Sequence, residues 1–128
     1  MRIVVDTNRY SDFCAGVPEV VERFRVAERI FLPFVTLAEL RAGFLRGTRA
    51  RRNESALLEF LNSPRVAALY PDEDTTHHYA QLFRQLREAA TPIPTNDIWI
   101  AALVEQHGLL LYSRDTHFDA LPQLPRLT

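Results

Sequence analysis

Apolar positions along this chain recur with two periods, and the switches between them predict its elements. Arg2-Ile3-Val4-Val5-Asp6 is a short β-branched run closed by an acid, and it reads as a buried strand. Thr7 and Asn8 follow, residue types that turn a chain and cap a short helix, here through about Cys14. Gly16 breaks that helix, and Pro18 suits the first turn of the next, where Val20, Val21, Phe24 and Ala27 share one face. Arg29 to Pro33 reads as a second strand. A helix is predicted from Thr36 to Arg46, with Leu37, Leu40 and Phe44 inward and Gly47 as its stop. Another fits Arg51 to Leu61 on Ala56, Leu57, Phe60 and Leu61. Val66 to Tyr70 reads as a third strand, closed by Pro71. A long helix starts at Asp74 or Thr75 and runs to about Ala90, with Tyr79, Leu82, Phe83 and Leu86 on one side.

Thr91-Pro92-Ile93-Pro94 is stiff and extended, because each proline also restricts the residue before it. Thr95-Asn96-Asp97 then opens an apolar helix to Gln106, with Gly108 past its end. Leu109 to Ser113 is a fourth strand, and Leu124 to Leu127 a candidate for a short last one. Short apolar strands alternating with helices indicate an α/β domain built on a parallel sheet.

Length sets the scale: 128 residues suit one domain, residues 1–128, large enough to need no metal or disulfide staple. The longest unbroken apolar run, Ile98 to Val104, has seven residues, far short of a membrane span. An acid at position 6 is out of place in a signal peptide, and a lone cysteine, Cys14, suits a reducing compartment, so a cytoplasmic protein is expected. Cys14 itself reads as a small buried apolar residue.

The formal net charge is only −1, which read alone argues against a nucleic-acid partner. The distribution says more. Residues 1–71 hold eleven Arg and eight acids, residues 72–128 four Arg and eight acids, and there is no Lys anywhere. Four acids occupy related places on the predicted map. Asp6 ends the first strand, Asp115 follows the fourth, and Asp97 and Glu39 lie in the first turns of helices that follow extended segments. In an open parallel sheet, strand ends and the helix starts after them share the edge where ligands bind. Each acid also has a structural explanation: a turn for Asp6 and Asp115, a Thr36-x-x-Glu39 capping box, and a helix dipole for Asp97. Together they make a carboxylate cluster with no Lys to neutralise it, and an all-oxygen site of this kind suits Mg²⁺ or Mn²⁺.

Four blocks of this sequence, Val4-Val5-Asp6-Thr7-Asn8, Thr36-Leu37-Ala38-Glu39-Leu40-Arg41-Ala42-Gly43, Asn96-Asp97-Ile98-Trp99-Ile100-Ala101 and Ser113-Arg114-Asp115-Thr116-His117-Phe118, resemble the signature blocks of PIN-domain ribonucleases. They resemble most the VapC-type toxins of toxin–antitoxin pairs. The resemblance spans nearly the whole chain, in order. The segment after the first acid departs from commoner members, with Arg9, Tyr10, Ser11 and Asp12 ahead of Phe13 where those continue apolar.

The resemblance implies a three-layer α/β/α sandwich with a mostly parallel sheet of four to five strands. It also implies a Mg²⁺-dependent (Mn²⁺ possible) endoribonuclease whose catalytic acids are Asp6, Glu39, Asp97 and Asp115. In that reading Asp6 and Asp97 are primary metal ligands, Asp115 binds metal directly or through water, and Glu39 ligates or orients the attacking water. Thr7, Asn8, Asn96 and Ser113 are candidates to hold the acids by hydrogen bonds, their other role being capping and turn formation. Asp119 is a further acid at the rim. Arg41, Arg46, Arg49, Arg51 and Arg52 form an acid-free basic stretch leaving the Glu39 helix, suited to RNA phosphates or to an acidic partner. The implied partners are RNA, a small cognate antitoxin and a second copy of the chain, with no membrane. Phe13, Val17 and Phe44 are candidate partner contacts that could equally face the core.

Rival readings fare worse. Receiver domains and haloacid-dehalogenase-type phosphatases cluster acids at strand ends, but both use a Lys that this chain lacks. No phosphate-binding glycine fingerprint is present. A PIN-like module that binds RNA or protein without cutting stays open as the alternative.

Overall fold

The computed structural model describes residues 1–128. In chain order it runs β1 (Arg2–Val5), α1 (Thr7–Cys14), α2 (Pro18–Val26), β2 (Arg29–Pro33), α3 (Phe34–Arg46), α4 (Ala50–Leu61), β3 (Val66–Leu69), α5 (Glu73–Glu88), α6 (Thr95–His107), β4 (Leu110–Tyr112) and a 3₁₀ helix (Thr116–Ala120). The strands form one sheet in the order β3-β2-β1-β4, and every pairing is parallel. The C-terminal tail adds a parallel bridge from Arg126 to Leu111 rather than a full strand.

Side-chain alternation splits the core between the two faces of the sheet. Ile3, Val5, Ile30, Leu32 and Tyr112 pack with Tyr10, Val20, Phe24, Leu37, Leu40 and Leu57, so α1 to α4 cover one face. Val4 and Leu111 pack with Leu82, Leu86, Ile98, Ala101, Val104 and Phe118, so α5, α6 and the 3₁₀ helix cover the other. These are the three layers expected. Helix α6 is nearly free of polar face, with Ile98, Ile100, Ala101, Ala102, Leu103 and Val104 all buried, as a helix wedged between sheet and α5 requires. No helix is long and apolar enough to cross a membrane.

Several boundaries differ from expectation for local reasons. Helix α3 starts at Phe34, directly after Pro33, which fixes an extended N-cap. The expected capping box at Thr36 is therefore absent: Thr36 lies inside the helix, fully buried, and its hydroxyl donates to the Val5 carbonyl at 3.1 Å. A capping box does occur at α5, between Asp72 and Thr75. Phe13, Val17 and Phe44 pack against the core, Phe13 stacking on Phe24 with centroids 4.4 Å apart. Cys14 is exposed, contrary to expectation, because it is the last residue of α1.

Three helix ends are followed by a residue with positive φ, and only one of the three is not glycine; Gly16, past α1, has φ 76°. Gly108 closes α6 with φ 60°, and Ala90 sits past α5 with φ 56°. A Cβ in this region costs about 1 kcal/mol. Ala90→Gly is therefore expected to raise unfolding free energy by up to about 1 kcal/mol, and Gly108→Ala to lower it by a similar amount. Urea unfolding of both variants measures this; shifts of the same sign would contradict the assignment.

Candidate metal centre

The parallel sheet delivers the end of β1 and the end of β4 to the same edge, paired through Val5 and Tyr112. Asp6 lies immediately beyond, only 4% exposed. A carboxylate there needs donors, and three residue types supply them. Asp6 is the N-cap of α1, accepting the Thr7 backbone N–H at Oδ1 (2.8 Å). Its Oδ2 accepts the Ser113 hydroxyl (2.6 Å) and the Asn8 side-chain amide (3.3 Å). Capping of α1 thus falls to Asp6 itself rather than to Thr7 or Asn8.

Ser113 is the hub of this edge. Its hydroxyl donates to Asp6 and accepts from the Asn8 amide (3.3 Å) and the Asp115 backbone N–H (3.1 Å). Asn8 completes the link by accepting the Arg114 backbone N–H at 3.2 Å. These bonds lock the loop after β4 onto the start of α1 and so fix Asp115 relative to Asp6. Thr7 donates its hydroxyl to Glu39 Oε1 at 2.9 Å, tying the exposed Glu39 to the same turn. Glu39 lies one turn deeper in α3 than expected, since the helix starts at Phe34.

Asp97 lies in the first turn of α6 and is 8% exposed. Burial, with the charges of Asp115 and Asp6 adding to it, pushes its carboxyl up to about 6 despite a hydrogen bond from His117. Asn96, by contrast, is exposed and hydrogen-bonds none of the four acids, because it sits one residue round the helix from Asp97.

His117 is a further residue at the site, beyond the four acids and the groups that hold them. Its Nδ1 is 2.9 Å from Asp97 Oδ2 and 3.1 Å from Asp115 Oδ1. Its backbone N–H also donates to Asp115 Oδ1 at 2.9 Å, as Asp115 caps the 3₁₀ helix. The hydrogen bond to Asp97 and the two neighbouring carboxylates raise the His117 pKa. The Asp-x-His spacing was the available signal, but only the 3₁₀ turn brings the two side chains together.

The donor set fits a divalent cation. One oxygen from Asp97, one from Asp115 and one ring nitrogen from His117 lie within 4.8 Å of one another. Asp6 Oδ1 carries a single backbone donor and retains a lone pair for an ion. Burial first, and then the two neighbouring acids, disfavour the charged form of the Asp97 carboxyl, and a cation beside it would favour that form.

The basic stretch divides. Arg41 is engaged with Glu54, through Nε and Nη2 at 3.0 Å each, so its guanidinium is not free. Arg46, Arg49, Arg51 and Arg52 are exposed, and Thr48, Arg49, Arg51, Arg52 and Ser55 line an open groove of about 480 Å³. Arg46 is seven residues beyond Glu39, two turns along the same face, about 10 Å away by helical rise. The divergent Arg9–Asp12 segment is paired within itself and with Arg114, although the buried Arg9 Nε has no hydrogen-bond partner. Arg9 pairs with Asp12 at 3.3 Å and lies over the Tyr112 ring at 4.7 Å, and Arg114 pairs with Asp12 at 3.0 Å. Arg114, then Arg9, hold the Asp12 carboxyl below its usual range. Asp119 pairs with Arg126 at 2.6 Å at the rim.

Comparison with known proteins agrees with this geometry. The PIN domain family model matches residues 3–124. Ribonuclease VapC4 of Mycobacterium tuberculosis is 33% identical over 94 residues, covering 73% of this chain and 72% of that protein. The structure of VapBC-1 from nontypeable Haemophilus influenzae superposes with a TM-score of 0.87 at 26% identity, covering 99% of this chain and 97% of that one. VapBC-5 from Mycobacterium tuberculosis, a member of the VapBC family of toxin–antitoxin systems, superposes with a TM-score of 0.74 at 31% identity, covering 98% and 94%.

The raised Asp97 carboxyl makes metal-free stability depend on pH. Its folded pKa, about 6, exceeds the ordinary 3.8, so the stability it contributes is present below about pH 4 and is lost as pH rises through 6. Loss of proton from His117, also raised, acts in the same direction. In EDTA the protein is expected to be less stable at pH 8 than at pH 5. Asp97→Asn should flatten that slope and recover about 2 kcal/mol at pH 8, allowing for solvent at the open side of the site. Urea unfolding at the two pH values decides; an Asp97→Asn protein with an unchanged slope contradicts the electrostatic reading.

Proposed function

We propose, from the premise that this chain belongs to the PIN-domain family and to its VapC-type branch, that it is a divalent-metal-dependent endoribonuclease and the toxin of a toxin–antitoxin pair. The observation that carries the reading is the convergence of Asp6, Asp97 and Asp115 at one sheet edge, with Glu39 tied beside them through Thr7.

Asp6, Asp97 and Asp115 would hold the divalent ion, Mg²⁺ or Mn²⁺. Bound there, the ion supplies positive charge to the scissile phosphate and lowers the pKa of water. The chain's own residues do the rest. Glu39, exposed and oriented by the Thr7 hydroxyl, is free on its other oxygen to accept a proton from the attacking water. Ser113 and Asn8 keep the Asp6 carboxylate and the Asp115 loop from drifting apart, which preserves the spacing of the site between turnovers. The exposed Arg46, Arg49, Arg51 and Arg52 bind RNA phosphates beyond the cleavage point, and Arg41 supports α3 through Glu54 instead. All four acids are present and buried or anchored, which favours a cutting enzyme over a binding-only module. Residues 1–128 act as one nuclease domain, cytoplasmic, with RNA as substrate. A small cognate antitoxin and a second copy of the chain are its protein partners.

Purified protein is expected to cleave total RNA with Mg²⁺ and to stop in EDTA. Asp6→Asn and Asp97→Asn should each lower the rate by at least roughly 100-fold. Undiminished activity in either variant, or in EDTA, would overturn the reading. Replacing Arg49, Arg51 and Arg52 together by Gln is expected to flatten the dependence of log binding constant on log salt by about 2, at roughly 0.7 per single-strand phosphate contact. An unchanged slope, measured by fluorescence anisotropy with a labelled RNA, would remove these arginines from the RNA path.

A further inference from the structure

We propose that His117 is itself a ligand of the metal centre, and that its ring nitrogen makes the centre prefer Mn²⁺ and other first-row divalent ions to Mg²⁺. This rests on the metal-centre reading above and goes beyond it, since the four acids alone would form an all-oxygen site. The geometry carries the inference. His117 Nδ1 stands 2.9 Å from Asp97 Oδ2 and 3.1 Å from Asp115 Oδ1. Adjacent ligands of an octahedral ion with bonds of about 2.1 Å are separated by about 3.0 Å, the square root of two times the bond length. The nitrogen therefore stands at such an edge length from each of the two oxygens, and all three atoms lie within 4.8 Å of one another.

The backbone reinforces the placement. His117 is in the 3₁₀ helix that Asp115 caps, and the next residue, Phe118, is fully buried and pins that turn to the core. The His117 backbone N–H holds Asp115 Oδ1 at 2.9 Å, so the carboxylate is tied to the backbone that carries the ring. The side chain is 49% exposed, leaving the outer side of the site open for water and a phosphate oxygen. A mixed nitrogen–oxygen set has a chemical consequence. Mg²⁺ favours carboxylate, carbonyl and water, whereas imidazole suits first-row transition ions, of which Mn²⁺ also shares the oxygen preference of Mg²⁺. The alternative is that His117 is only a hydrogen-bonded counter-charge, which swings away when an ion enters.

Pulsed electron paramagnetic resonance of the full chain loaded with Mn²⁺ separates these. A ¹⁴N coupling is expected for the native protein and its loss for His117→Gln, whose exposed position leaves the fold intact by circular dichroism. In competition titrations followed by the Mn²⁺ signal, the Mg²⁺ concentration needed to displace Mn²⁺ should fall at least roughly tenfold in His117→Gln. Mn²⁺ bound in a manner sensitive to Asp97→Asn, but with no ¹⁴N coupling and unchanged Mg²⁺ competition in His117→Gln, would overturn this inference and leave the metal centre standing. No Mn²⁺ binding to the native protein at all would overturn the centre and the inference together.

Discussion

The buried carboxylate of Asp6 is the constraint around which the functional edge is organised. It stands where an apolar strand ends, in a position that offers it little water, so its charge must be met by fixed donors. The Thr7 backbone N–H, the Asn8 amide and the Ser113 hydroxyl meet it, and they come from two segments more than a hundred residues apart in sequence. Satisfying one acid therefore joins the start of α1 to the loop after β4. That junction sets where Asp115 stands, and Asp115 in turn caps the 3₁₀ helix that presents His117 to Asp97. The same hydrogen bonds that make the fold acceptable at this edge define the site.

The arrangement satisfies its acids unequally. Asp6 is well supplied with donors, but Asp97 has a single one, from His117, and two acids for neighbours. The sheet concentrates negative charge at one edge, while the arginines that could offset it stand on α3 and α4, around an open groove. A chain with a net charge of −1 thus carries two opposed fields, one suited to a cation and one to the phosphates that a cation would accompany.

Much of this was legible in the sequence, and the parts that were not share a physical reason. The acids at strand ends and the α/β alternation follow from local patterns, and parallel pairing from short apolar strands joined by helices. Thr7, Asn8 and Ser113 were found because they adjoin the acids in sequence. Asn96 adjoins Asp97 equally, yet a helix turns it outward, which adjacency alone does not reveal. Arg41 looked as free as its neighbours, but its partner, Glu54, lies on the next helix. Cys14 looked apolar and proved exposed, since nothing covers the end of α1. The place of His117 has only the Asp-x-His spacing as a signal in the sequence, because it depends on the 3₁₀ turn, an element with no strong pattern of its own. Non-local side-chain pairing and short irregular turns are the two things that periodicity does not encode.

Everything proposed for this edge requires that Asp6, Asp97 and Asp115 bind a cation. The most direct measurement is anomalous diffraction at the manganese edge from crystals grown or soaked with Mn²⁺. A peak is expected within bonding distance of the Asp97 and Asp115 carboxylates, with Asp6 beside it directly or through one water. Well-ordered crystals with all three carboxylates resolved and open to solvent, saturating Mn²⁺ and no peak among them would contradict it.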